Sequence, residues 1–395
     1  MTDSARKRFA IDVSDEDVED LRRRLAQVRW PDEAPGPTPW AQGSDLAYMK
    51  ELIAYWRDAY DWRAQERALN AMSQYTARAG GIDVHFVHEV GEGPDPIPLL
   101  LTHGWPGSFY EFSKVIPLLS DPGRHGGDPG DAFTVVAPSL PGYAFSFSSG
   151  QRRLDISDMA AAFVELMANV LGHPRFIAAG SDWGARLTAR LACHHADHVI
   201  GAYLTTLPIR RDTKLPPNPT AEQQRYAERV EAWQREERGY TEIQGTKPQT
   251  LAYALTDSPV GLAAWIVEKF RSWSDCGGDV ERRFTKDELL TAVSIYWFTG
   301  AIGSSFSLYW GRLHGMWDLS QHLDNGARIE VPTGFVDFPG EIIRTPRAIV
   351  ESAVNLQHWT TMPRGGHFAA FEEPELFVDD LRAFARRFRG HAAGA

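Results

Sequence analysis

The sequence predicts an α/β fold: a mostly parallel central sheet flanked by helices, with a helical cap inserted and a helical N-terminal extension. Three observations predict it. Arg175-Phe176-Ile177-Ala178-Ala179 reads as a short buried strand entering the turn Gly180-Ser181-Asp182-Trp183-Gly184, and Leu187, Leu191 and Ala192 leave that turn at helical spacing. The apolar run Ile97-Pro98-Leu99-Leu100-Leu101 reads as a second strand and leads into the loop His103-Gly104-Trp105-Pro106. Late in the chain, His367 stands in the turn Gly365-Gly366-His367-Phe368, ahead of a final amphipathic helix from about Pro374 to Phe388.

The elements follow in order. A chain of 395 residues exceeds one ordinary core of about 100–200 residues, so an elaborated domain with insertions is expected. Residues 1–80 form a first unit, and about the first 75 of them read as helix rather than sheet. Ser14 is an N-cap, Val18, Leu21, Leu25 and Val28 make an apolar stripe ending at Pro31, Pro35 to Pro39 connects, and Leu46 to Arg57 is a second helix. From Ile82-Asp83-Val84-His85-Phe86-Val87 the pattern alternates as a strand, and the core begins, occupying 81–208. Residues 209–327 are more helical and polar, as a cap would be, with a charged, solvated stretch from Thr220 to Arg238. The core resumes over 328–395.

The turn at 180–184 has the form of a nucleophile elbow, the strand-to-helix bend that lifts one side chain above the sheet of an α/β-hydrolase fold. Here that side chain is a carboxylate, Asp182, where a hydroxyl is usual. A free aspartate, with an ordinary pKa of about 3.9, is already an anion at neutral pH and needs no base before it attacks. Attack on an acyl carbon would give a labile anhydride, so the useful target is an sp³ carbon with a leaving group, such as an epoxide or an alkyl halide. The resulting ester must then be hydrolysed, which calls for a histidine base, an acid to orient it and an oxyanion hole. His367 fits the base by position, and the chain order nucleophile, acid, histidine agrees. Two acids follow the strand in Val331-Pro332-Thr333-Gly334-Phe335-Val336-Asp337-Phe338-Pro339-Gly340-Glu341: Asp337 at the strand end is the simpler choice, and Glu341 lies one short loop on. Glu372 and Glu373 are expected to charge the first turn of the last helix. Since Pro106 has no amide hydrogen, Trp105 is the loop residue to present an oxyanion donor, and the Trp183 amide is the other.

These residues together resemble the epoxide hydrolases of the α/β-hydrolase superfamily, in particular the microsomal and juvenile-hormone branch. The resemblance is carried by His103-Gly104-Trp105-Pro106-Gly107-Ser108, Asp182-Trp183-Gly184, Val331 to Phe335, and Arg364-Gly365-Gly366-His367-Phe368-Ala369-Ala370-Phe371-Glu372-Glu373-Pro374. Leu21-Arg22-Arg23-Arg24-Leu25 followed by Arg29-Trp30-Pro31 is similar to that branch's extra N-terminal domain. The resemblance implies two cap tyrosines that hold and protonate the oxirane oxygen, at the motif positions Tyr240 and Tyr309. It also implies that the acid is placed as Glu341 is, which outweighs the simpler preference for Asp337. The implied reaction converts an epoxide and water into a vicinal diol, with no cofactor and no metal.

A formal charge of −11 argues against a nucleic-acid partner. Two cysteines, Cys193 and Cys276, provide neither a disulfide framework nor metal-type spacing. Met1 to Ala10 has no apolar h-region, and no run approaches the ~18 residues of a membrane helix. The expectation is a cytoplasmic chain lacking the membrane anchor of endoplasmic-reticulum relatives, and one compatible with a homo-oligomer. His194-His195-Ala196-Asp197-His198 is read as a helix end facing the negative dipole rather than as a metal cluster, and Gly123 to Gly130 as a surface loop. Aromatic residues at 11%, including 13 tryptophans, suit a greasy pocket for a hydrophobic or aromatic epoxide. Two rivals stand beside this reading. A haloalkane dehalogenase would share the aspartate and the tryptophan after it but leaves the two cap tyrosines without a task; a non-catalytic ligand-binding module would predict damage somewhere among the five site residues.

Overall fold

A computed structural model describes residues 6–36, 38–209, 218–315, 323 and 327–389. Its strands join one nine-stranded sheet: β1 Arg6–Arg8, β2 Gln74–Ala79, β3 Ile82–Glu89, β4 Ile97–Thr102, β5 Phe133–Pro138, β6 Phe176–Gly180, β7 Val199–Leu204, β8 Ile329–Asp337 and β9 Val354–Thr361. The spatial order is β1-β2-β3-β5-β4-β6-β7-β8-β9. Pairing is antiparallel from β1 through β3 to β5 and parallel across β5, β4, β6, β7, β8 and β9. β4 and β5 are apolar nearly throughout because helices cover both faces of the parallel part. β2 and β3 meet at Gly80-Gly81, whose φ values of 59° and 77° are the positive pair that a two-residue hairpin turn demands.

Among the described residues three helices precede the hairpin: α1 Asp15–Ala26, α2 Leu46–Asp58 and α3 Trp62–Asn70. The Ser14 hydroxyl accepts from the Asp17 amide, and Val18, Leu21 and Leu25 are the buried stripe. The helical reading of this segment misses β1. Arg6, Lys7 and Arg8 have no apolar alternation, and what makes them a strand is the open edge of β2, on which they pair antiparallel. The core helices are α4 Val115–Ser120, α5 Ile156–Val164, continued by a wider π-type turn to Val170, and α6 Asp182–His194. Between β7 and β8 the described residues are helical: α7 Ala221–Glu236, α8 Gly239–Thr246, α9 Pro248–Asp257, α10 Pro259–Trp273, α11 Lys286–Thr299, α12 Ile302–Ser305 and α13 Ser307–Leu313. The expected junctions of this insertion, at 209 and 327, adjoin residues outside the described set. α14 Arg347–Ala353, α15 Ala369–Glu372 and α16 Pro374–Ala385 are the remaining α-helices among the described residues.

The N-terminal helices brace the insertion rather than the sheet alone. Helices α1 and α2 pack on α10, and α2 also on α11. The Tyr60 and Thr291 hydroxyls lie 3.0 Å apart in a buried contact, Tyr55 donates to Asp287 at 2.9 Å, and Arg24 reaches Asp257 at 2.8 Å. One continuous apolar core therefore includes Leu52 of α2, Leu99 of β4 and Ile266 of α10. At the centre, α6 lies so close to β4 that a Cβ on Gly184 would sit 2.0 Å from the Thr102 carbonyl oxygen. That approach explains a residue without a side chain two places after Asp182.

Candidate active site

The C-terminal ends of the parallel strands converge above the sheet, where open α/β sheets form their crevice. β6 ends in the elbow. Asp182 opens α6 with φ 49°, a left-handed conformation rare for a residue with a side chain and typical of strained functional turns. The helix N-terminus favours its negative charge. From the end of β4 the Trp105 amide donates to Asp182 Oδ1 at 2.9 Å, and the Trp105–Pro106 peptide is cis. The Trp183 amide follows in the first turn of α6, where helix amides point out of the N-terminus. Gly104 lets the loop pass this carboxylate: a Cβ there would lie 2.5 Å from Oδ1. His103 fixes the loop from below. Its Nε2 accepts from the Leu140 amide at 3.0 Å, so its Nδ1–H faces the Gly104 carbonyl at 2.9 Å. Burial pushes this imidazole down to about 4, keeping it neutral.

After β9 the chain brings in His367, whose amide donates to the Trp273 carbonyl at 2.9 Å while the Trp273 ring packs edge-on at 5.2 Å. Its Nε2 is 4.0 Å from Asp182 Oδ2. Its Nδ1 is 2.9 Å from Glu341 Oε1 and 3.1 Å from Oε2. The Thr206 hydroxyl donates to Glu341 at 3.0 Å and the Ile342 amide at 2.8 Å, holding the carboxylate in place. Burial alone would lower the His367 pKa; the Glu341 charge and hydrogen bond, then Asp182 and Glu111, outweigh it and raise the value to about 9. Asp337, the alternative acid, is engaged elsewhere: Arg344 grips both its oxygens, Nε at 2.8 Å and Nη2 on the other.

Glu372 and Glu373 stand just before α16, Glu373 as its N-cap residue, but their carboxylates do not cap the helix amides. Glu372 accepts from the Phe368 and Asp275 amides at 2.9 and 2.8 Å, and Glu373 binds Arg283 and Arg364 at 2.5 and 2.8 Å. Both clamp the turn carrying His367, from the junction between α15 and α16. Burial drives Glu372 up to about 7.

The insertion supplies the roof. Tyr240 of α8 and Tyr309 of α13 are 5% and 6% exposed, with ring centroids 5.9 Å apart. Trp105 stacks on Tyr240 at 5.4 Å, and Trp183 meets Tyr309 edge-on at 4.9 Å. Burial first, then the Asp182 charge and Tyr240, push the Tyr309 phenol well above its ordinary value, so it stays a neutral donor. Both tyrosines share with Asp182 and Trp183 a cavity of about 360 Å³. Its wall is less greasy than the composition suggests, mixing Leu207 and Trp233 with Arg186 and Arg312. Other tryptophans, such as Trp56 and Trp62, are spent in the N-terminal core.

Residues 6–112 match the family model "Epoxide hydrolase N terminus", and residues 97–260 match "alpha/beta hydrolase fold". A protein of Stigmatella aurantiaca is 41% identical over 383 residues, 96% of this chain and 85% of its own. Epoxide hydrolase 1 of Oryctolagus cuniculus is 38% identical over 410 residues, 97% of this chain and 89% of its own. The chain belongs to the epoxide hydrolase family. The crystal structure of juvenile hormone epoxide hydrolase from the silkworm Bombyx mori superposes on this family member with a TM-score of 0.85 at 29% identity, covering 98% of this chain and 95% of that one.

For this epoxide hydrolase the sequence reading passed over several residues now found at the site. Tyr143 donates to the Ser305 carbonyl at 3.0 Å and Tyr296 to the Gly107 carbonyl at 2.8 Å, tying the insertion to the core loops beside Asp182. Thr206 and Glu111 also went unremarked. Nothing in their local sequence separates them from ordinary packing residues. At the end of α6, His198 Nδ1 meets the Pro174 carbonyl at 2.7 Å, and among the described residues no three His, Cys, Asp or Glu side chains converge as a metal-ligand set. No single helix among the described residues is long and apolar enough to cross a membrane.

Proposed function

We propose that the chain hydrolyses an epoxide to a vicinal diol through an alkyl ester of Asp182. The observation that carries this reading is one cavity floored by Asp182, with the two phenols of Tyr240 and Tyr309 in its wall and His367 Nε2 4.0 Å from the carboxylate. Asp182 Oδ2, the oxygen not held by the Trp105 amide, forms the bond to a ring carbon. The carbon–oxygen bond of the oxirane breaks, and its oxygen takes a proton from Tyr240 or Tyr309. His367 rests as imidazolium and must shed a proton before it can act as base; the tyrosinate left by ring opening is the group to receive it.

His367, oriented by Glu341, then takes a proton from water, and the hydroxide adds to the ester carbonyl carbon. Oδ1 becomes the oxyanion in the site already made by the Trp105 amide, with the Trp183 amide as second donor. Collapse expels the diol with Oδ2, His367 returns a proton to it, and Asp182 regains an oxygen from water. A single turnover in ¹⁸O-water should therefore label Asp182, read by mass spectrometry of its peptide. Label found in the diol alone would sink the covalent scheme.

The substrate is proposed to be a hydrophobic or aromatic epoxide, on the tryptophan and leucine part of the cavity wall. The same proposal divides the chain into an N-terminal unit 1–80, a core of 81–208 with 328–395, and a cap 209–327. A cytoplasmic location belongs to it too, supported by the −11 charge and the unpaired state of Cys193 and Cys276.

A further inference from the structure

Behind the elbow lies a second, small cavity of about 10 Å³ that the reaction as written does not use. That is about the space needed by one water molecule. Gly180 and Ser181, just before Asp182, form one wall, and Phe368 and Ala369, just after His367, form another. Two polar side chains also line it. The Thr205 hydroxyl is buried without a hydrogen-bond partner. Glu111, 7% exposed, has no hydrogen bond or ion pair to its carboxyl among the described residues.

The carboxyl of Glu111 is placed there by the loop itself. It folds back from the 3₁₀ turn Phe109–Phe112 over Gly107, where a Cβ would sit 1.3 Å from Oε1. An unpaired buried carboxyl and an unpaired buried hydroxyl each cost free energy that a bridging water would relieve. Burial, with the Asp182 charge adding and His367 opposing, drives Glu111 up to about 8. Near neutral pH it is thus largely a neutral acid, able both to donate to water and to accept from it. The cavity it lines runs between the chain neighbours of both reacting groups, Ser181 before Asp182 and Phe368 after His367.

We propose that Glu111 and Thr205 hold a water molecule in this cavity and that Glu111 presents it to His367, making Glu111 a determinant of ester hydrolysis rather than of ester formation. The proposal rests on the covalent reading above. The test separates the two half-reactions by stopped-flow tryptophan fluorescence and acid-quench mass spectrometry of the Asp182 peptide, using styrene oxide. Glu111→Met, of similar volume, should slow ester hydrolysis about tenfold to a hundredfold, so that the ester accumulates, while its formation changes less than about threefold. Glu111→Gln, which keeps a donor and an acceptor, should restore most of the hydrolysis. Gly107→Ala, which leaves the glutamate in the chain but evicts its carboxyl, and Thr205→Val should each slow hydrolysis selectively and serve if the methionine variant does not fold. Hydrolysis at the wild-type rate in Glu111→Met, or an equal fall in both half-reactions, overturns the proposal. His367→Gln is the control: an ester trapped there with Glu111→Met unimpaired rejects the water site alone. No ester in that control rejects the covalent reading and this proposal with it.

Discussion

At rest His367 is held as imidazolium by the carboxylates around it, and this has consequences with a definite sign. Its folded pKa of about 9 exceeds the ordinary 6.5. The stability it contributes is therefore complete below about 6.5 and lost as pH rises through about 9. Esterification of Asp182 removes one of the charges that raise it. The single-turnover hydrolysis rate should accordingly climb with pH to a plateau with a midpoint below about 9, and a midpoint at or above the resting value would contradict the charge account. Glu341→Gln should lower that midpoint further and slow hydrolysis by about 10²–10⁴. Asp337→Asn should instead leave both half-reactions within about threefold and cost about 1–3 kcal/mol of stability through the Arg344 tie; a catalytic loss matching that of Glu341→Gln would reassign the acid. The candidate nucleophile and base were legible because a side-chain type at a bend between strand and helix is a local pattern. Spacing alone left the acid open, because both carboxylates follow the same strand; the resemblance favoured Glu341, and tertiary geometry shows that Arg344 occupies Asp337. Glu111, Thr206 and Tyr296 were illegible for a related reason: their meeting is made by elements far apart in sequence.

The spacing of whole elements carries its own test. Because α6 leans on β4 at Gly184, an alanine there must move helix from strand, since the obstructing atom is backbone. Gly184→Ala should destabilise by about 1–3 kcal/mol in urea unfolding and slow ester formation by tilting Asp182. Unchanged stability would mean that the elbow absorbs a methyl group. Elements with strong internal signals were readable: Ser14 caps α1, and the apolar runs became β4 and β6. β1 was not, because three consecutive cations carry no periodicity. In the insertion, composition gave helix in general but not the seven α-helices found among its described residues, since their boundaries lie at turns such as Asp257-Ser258-Pro259 between segments of similar character.

Across the whole molecule, N-terminal helices, sheet and insertion share one apolar core, although the sequence suggested three units. Differential scanning calorimetry should therefore show one cooperative unfolding transition, and two well-separated peaks would mean the units melt independently. That sharing was illegible because each amphipathic stripe declares a buried face but not its partner. The sheet has one further consequence, at its outer margin. β1 covers β2 with three cations, so the last ladder before solvent bristles with like charge and repels another chain approaching that edge. Proteolytic clipping after Arg8 would strip that guard and bare the backbone edge of β2 from Tyr75 to Ala77 as a seed for self-polymerisation.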